Sequence, residues 1–222
     1  MASTIELTAS DGHRLAAYRA TPSGQPRGAV VVIQEIFGVN AHIRSVADRY
    51  ASDGYLVIAP AMYDRSQRDY ETGYKPPEIE AGRAVMQKLD WKQTMLDVEA
   101  AVAHAREAGN VGIVGFCWGG TVSWVAAARV ANLAAAVAYY PGGIANFADE
   151  SPQCPMLCHF GERDTSPTPD AAKSVMAKHP AVTAYFYAAG HGFNCDQRAS
   201  FDTEASKLAR SRTLEFFRKH IG

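Results

Sequence analysis

Five consecutive residues, Ala29-Val30-Val31-Val32-Ile33, are apolar and mostly β-branched. A strand with one wet face would alternate apolar with polar side chains, so this run reads as a strand covered on both faces, the mark of a parallel sheet. The signature returns at Tyr55-Leu56-Val57-Ile58-Ala59, at Val111-Gly112-Ile113-Val114-Gly115, at Ala134–Tyr139, at Met156–Phe160 and at Val182–Tyr187. Between these runs the spacing turns helical. Asn40 is the expected N-cap of a helix to about Ser52, with Ile43, Val46, Ala47 and Tyr50 on one face and Asp53-Gly54 at its end. Further helices are expected near 78–90, 92–108, 118–130 and 169–179, and from Phe201 to Lys219. Strands alternating with helices give an α/β fold, a mainly parallel central sheet with helices on both faces. Thr4–Leu7 and Leu15–Ala20, joined through Ser10-Asp11-Gly12, read as an opening hairpin. One α/β domain over 1–222 is expected, and the long loops 61–77 and 141–154 are candidates for function.

Composition narrows the ligand. With 22 Lys+Arg against 23 Asp+Glu the formal net charge is -1, so no global positive field draws in nucleic acid or an anionic membrane. A small neutral or anionic molecule is the expected partner, and the chain is expected to act as a monomer. The start lacks a basic segment followed by an apolar one, and no stretch reaches the roughly 18 apolar residues of a membrane span. A cytoplasmic location is the expectation. The four cysteines, 117, 154, 158 and 195, are too few and too irregular for a disulfide framework, and Cys154 and Cys158 lack the spacing of a zinc knuckle.

The chemistry concentrates at Gly115-Phe116-Cys117-Trp118-Gly119-Gly120, between an apolar strand and a small-residue helix. That is the place of a nucleophile elbow, here with cysteine instead of serine. The turn is so tight that side chains two positions to either side of the nucleophile would collide with backbone, hence the glycines. A thiol at a helix start is also favoured as thiolate by the helix dipole. Such a nucleophile needs a base and the base an orienting acid, in the chain order nucleophile, acid, histidine. Asp164 follows the strand Met156–Phe160, and His191, flanked by Gly190 and Gly192, follows the strand Val182–Tyr187. Glu162 and Asp170 compete for the acid, with Asp164 favoured by register. Gln34-Glu35-Ile36-Phe37-Gly38 follows the first parallel strand, where this arrangement draws its second oxyanion amide, so the amides of Ile36 and Trp118 are assigned that role. Glu35 is an acid in an otherwise apolar approach.

The remaining histidines read as satisfied or solvated side chains. Phe37, Tyr63, Trp118, Tyr139 and Tyr140 occupy or border loops at the carboxyl ends of strands, where open parallel sheets bind ligands, so they are candidate pocket residues as well as ordinary core. Asp64-Arg65 reads either as a local ion pair or as a substrate contact.

At these residues the sequence resembles the dienelactone hydrolase (carboxymethylenebutenolidase) family of α/β hydrolases. The likeness runs from Val30 through the closing helix and rests on Gly115-Phe116-Cys117-Trp118-Gly119-Gly120 together with Gln34-Glu35-Ile36-Phe37-Gly38. It implies the α/β-hydrolase fold, a working site of Glu35, Cys117, Asp164 and His191, and opening of an enol-lactone ring by water, with a substrate carboxylate held by arginines. It also implies that Glu35 partners the thiol and takes its proton when substrate displaces the carboxylate. One arginine is expected four residues after the histidine, and this chain has Cys195 there. Arg198 is the candidate substitute, with Arg65 or Arg83 for the other position. The expected reaction is hydrolysis of a small lactone or activated ester through a thioester on Cys117, with no metal or organic cofactor. Two other readings stand beside it: a non-catalytic binder of small molecules on a hydrolase scaffold, and a thiol redox sensor using Cys117, with Cys195 as a candidate partner.

Overall fold

The computed structural model describes all residues, Met1–Gly222. Six strands, β3 (Ala29–Ile33), β4 (Leu56–Pro60), β5 (Val111–Phe116), β6 (Leu133–Tyr139), β7 (Met156–Gly161) and β8 (Thr183–Tyr187), run parallel. At one edge β1 (Ala2–Thr8) and β2 (Arg14–Ala20) form the expected hairpin, with β2 antiparallel to β4. The strand order is β1-β2-β4-β3-β5-β6-β7-β8, a mixed, mostly parallel sheet.

The apolar runs divide their side chains between two cores. From β3, Val31 and Ile33 join Ile58 and Ile113 on one face, while Val30 and Val32 join Val57 and Val114 on the other. The first face is covered by α2 (Pro76–Met86), α3 (Trp91–Ala105), α4 (Trp118–Arg129) and α5 (Pro169–Lys178), the second by α1 (Ala41–Ser52) and α6 (Thr203–His220). Asn40 caps α1, its side-chain oxygen accepting from the Ile43 amide at 3.2 Å. The spacing predicts one helix over 78–90, but α2 starts at Pro76 and ends at Met86. Proline is favoured at a helix start, and Glu78 there accepts the Lys75 amide at 2.7 Å. Asp90 cannot lie inside that helix because it caps the next, taking the Gln93 amide at 3.0 Å.

Arg65 differs from its expected place. Its guanidinium grips Asp97 of α3 through Nε and Nη2, both at 2.8 Å, and Asp11 of the hairpin turn through Nη1 at 2.8 Å. It therefore ties the β1–β2 turn to α3 and is not free to bind substrate. Neighbouring Asp64 accepts the Ala16 amide at 2.8 Å, so the local Asp64–Arg65 pair does not form either. A buried carboxylate paired in this bidentate way costs much to remove alone, because the arginine is left without its main partner. Asp97→Ala is expected to lower unfolding free energy by on the order of 3 kcal/mol in a denaturant titration, and Arg65→Met added to it recovers part of the loss.

Candidate active site

The carboxyl ends of β3, β5, β7 and β8 face the same side, and each carries one expected group. Phe116 ends β5 and Trp118 begins α4, so Cys117 alone makes the turn, with φ 57° and ψ -116°. A non-glycine residue held there stores roughly 1–3 kcal/mol of strain, which only tight surroundings maintain. The surroundings are tight. A Cβ on Gly119 would lie 2.3 Å from the Gln34 carbonyl oxygen, and one on Gly115 would lie 1.9 Å from that of Gly119. The steric reason for the glycines is therefore backbone packed on backbone, fixing α4 against the end of β3.

His191 Nδ1 lies 2.9 Å from Asp164 Oδ2, and Asp164 Oδ1 takes the Ser166 amide at 2.7 Å. Both carboxylate oxygens are thus engaged and the imidazole is aimed. Neither competing acid is used this way: Glu162 is exposed and Asp170 lies in the first turn of α5. The other face of the His191 ring meets Tyr140, edge-on at 5.0 Å between centroids. Burial opposes a charged imidazole, yet the negative charge of Cys117 and the hydrogen bonds to Asp164 and Cys117 outweigh it and push the His191 pKa up to about 10.

Cys117, Trp118, Ile36 and His191 line one cavity of about 820 Å³. Trp118 is the first residue of α4, where N–H groups have no acceptor within the helix. The loop bearing Ile36 is fixed from outside by α2, whose Gly82 comes so close that a Cβ would sit 2.4 Å from the Ile36 carbonyl oxygen. The far wall is apolar, made by Ile79, Met86, Leu89, Trp91 and Phe147. Phe37 also faces this space, as do Arg83 and Arg198, so two of the three candidate arginines reach it. Arg83 is exposed at the mouth and pairs with Glu80 at 2.8 Å. Arg198 is mostly buried, lies over the Phe37 ring, and approaches Glu35 Oε1 at 3.4 Å.

Of the other aromatic candidates, Tyr140 is fully buried against His191, and two more stand elsewhere. Tyr63 is buried behind Trp118, ring centroids 5.6 Å apart, and backs the cavity wall without forming it. Tyr139 points to the opposite face of the sheet, its hydroxyl 2.7 Å from Thr213 Oγ1 of α6, because alternate residues of β6 face opposite ways. Its carbonyl still serves the site by accepting the Cys117 amide at 3.0 Å.

Histidines read as ordinary divide in two. His159 is fully buried and satisfied, with Tyr187 and Thr213 hydroxyls at 2.8 and 3.0 Å, and burial first, then the Arg212 charge, holds its pKa at about 3. His42 is also fully buried, but only its Nδ1 has a partner, Asp196 Oδ1 at 3.1 Å. Helical spacing gave no sign of this, because the residues that enclose His42 come from the loop after His191. Cys195 lies in that loop, buried, and all four cysteines are free thiols.

The sequence model of the dienelactone hydrolase family matches residues 15–221. The chain belongs to that family. A protein of Synechocystis sp. named as a candidate carboxymethylenebutenolidase is 34% identical over 98% of this chain and 97% of its own length. The carboxymethylenebutenolidase of Pseudomonas putida is 29% identical over 96% of this chain and 94% of its own length. The crystal structure of a candidate dienelactone hydrolase from Klebsiella pneumoniae matches with a TM-score of 0.81 at 32% identity, covering 98% of this chain and 100% of that one. This dienelactone hydrolase family member is therefore a hydrolase with the α/β-hydrolase fold. No helix in it is long and apolar enough to cross a membrane.

The raised His191 pKa has a sign that can be checked. A group whose pKa is higher folded than unfolded adds stability in full below its unfolded value, about 6.5, and that contribution fades as pH rises through the folded value. Imidazole NMR titration is expected to place His191 near 10. In Cys117→Ala the negative charge is gone and burial weighs more, so the value falls toward the ordinary histidine range and the loss of stability between pH 7 and 10 shrinks.

Proposed function

We propose that this protein hydrolyses small lactones and activated carboxylic esters through a thioester on Cys117. The observation that carries the reading is the meeting, in one cavity, of a thiol on a strained turn with an imidazole oriented by a buried carboxylate. The Cys117 thiolate attacks the substrate carbonyl carbon, and the new oxyanion is received by the amides of Ile36 and Trp118. The intermediate collapses by breaking the carbon–oxygen bond to the leaving group, which takes a proton from the His191 imidazolium. In a lactone the leaving oxygen stays attached, so the ring opens. His191, now neutral and held by Asp164, then removes a proton from water as it attacks the thioester, and the thiolate leaves with the carbon–sulfur bond. Enol and aryl leaving groups suit a thiolate, which is itself expelled easily from the tetrahedral intermediate; unactivated amides do not.

Glu35 is the thiol's alternative proton acceptor in this reading, with Arg198 holding it in the absence of substrate. Arg198 and Arg83 supply positive charge on the same cavity and suit a substrate that carries a carboxylate. The small molecule needs no nucleic-acid or membrane partner, and one 222-residue α/β domain acting as a monomer suffices. A cytoplasmic enzyme is the setting that fits a free nucleophilic thiol.

Steady-state assay on dienelactone and p-nitrophenyl acetate tests the mechanism. Cys117→Ala is expected to lower kcat/KM by roughly 10³-fold or more on both. Cys195→Ala keeps most of the turnover. Turnover retained in a folded Cys117→Ala protein would overturn the covalent route. The arginine assignment is read separately: Arg198→Ala should raise KM for the carboxylate-bearing dienelactone by about tenfold or more relative to its effect on neutral p-nitrophenyl acetate, as expected when a charge-assisted hydrogen bond is lost. Equal effects on the two substrates would remove Arg198 from carboxylate recognition.

A further inference from the structure

Behind the nucleophile the chain encloses a second group of chemically active side chains. Glu35, His42 and Cys195 each present a ligand-type atom, and the three atoms lie within 4.8 Å of one another. All three residues are at least 99% buried. Two polar atoms here have no hydrogen-bond partner: Glu35 Oε2 and His42 Nε2. Buried polar atoms are nearly always paired, so two orphans on residues of one buried cluster call for a missing partner. The partner must accept from none of them and satisfy all, which is what a cation does.

We propose that Glu35, His42 and Cys195 form a binding site for a divalent ion of zinc type. The donor set is one carboxylate oxygen, one imidazole nitrogen and one sulfur, the mixture that suits a borderline-soft ion and ill suits magnesium or calcium. His42 is already arranged as a ligand. Its Nδ1 lies 3.1 Å from Asp196 Oδ1, which fixes the tautomer with the proton on Nδ1 and leaves the Nε2 lone pair free. Charge closes as well: a carboxylate and a thiolate cancel the ion, while Arg198 beside Glu35 and Asp196 beside His42 cancel each other. A metal takes cysteine as the thiolate, so binding releases the Cys195 proton. The donors need only draw together slightly to reach the separations of a tetrahedral zinc site.

An ion held by Glu35 occupies the carboxylate that the proposed mechanism uses as a proton acceptor, so the loaded and the working forms are alternatives; the test reads binding and not turnover, so it stands whether or not the thioester mechanism holds. Chelator-treated protein is titrated with Co²⁺ as an optical probe, followed by Zn²⁺. One equivalent of Co²⁺ should produce a thiolate-to-cobalt charge-transfer band that Zn²⁺ abolishes. The band should vanish in Cys195→Ser and in His42→Phe and persist in Cys117→Ala. Asp196→Asn alters a half-exposed side chain and leaves the core intact, and it should weaken Co²⁺ affinity by about 10–100-fold. Absence of a thiolate band in the unaltered protein, or a band that survives Cys195→Ser, or one lost in Cys117→Ala, overturns the site.

Discussion

Between Phe116 and Trp118 the chain passes from strand to helix in a single residue, and most of the site is arranged around that step. The turn can be this short only because Gly115 and Gly119 let the first turn of α4 rest on the ends of β5 and β3, backbone against backbone. The same contact that exposes the Cys117 side chain also brings the Gln34–Gly38 loop next to the first amide of α4. The Cys117 thiol and the amides of Ile36 and Trp118 are therefore set by one packing event, and the strain at Cys117 is held by the buried sheet beneath it.

Around the thiol, charges of opposite sign are placed in alternation. Asp164 faces His191, His191 faces Cys117, and Glu35 is met by Arg198 on one side and by the His42 and Cys195 group on the other. His191 shows the coupling: the Cys117 charge and the hydrogen bonds to Asp164 and Cys117 raise its pKa against burial. Burial sharpens the effect, because charges taken from water interact more strongly. Arg198 sits where this series meets the cavity lined by Cys117 and His191.

Much of this was legible before any coordinates. Apolar runs too dense for a half-wet strand gave the parallel sheet, and the glycine spacing about Cys117 gave the turn. Chain order then located the acid and the histidine, which the structure brings within 2.9 Å. What escaped was long-range. Local sequence offers Arg65 either a pair with Asp64 or a substrate carboxylate, but its partners are Asp97 and Asp11, brought in by a helix and a hairpin whose placement no local pattern encodes. The strand-end position of Tyr139 suggests a pocket residue, but the side its ring takes depends on strand parity, which puts it with Thr213. His42 lies on an ordinary amphipathic helix by spacing, and only the loop carrying Cys195 and Asp196, some 154 residues on, makes it a buried, half-satisfied ring.

The three tryptophans are unevenly spread in a way that has a practical side. Trp91 and Trp118 both stand in the cavity wall, their ring centroids 6.4 Å apart. Trp124 is buried away from it, its Nε1 donating to the Phe147 carbonyl at 3.0 Å. Two of the molecule's three indoles thus change their surroundings when the cavity fills, and the third supplies a steady background. The protein carries its own fluorescent reporter of occupancy, one that responds to any compound entering the cavity whether or not it is turned over.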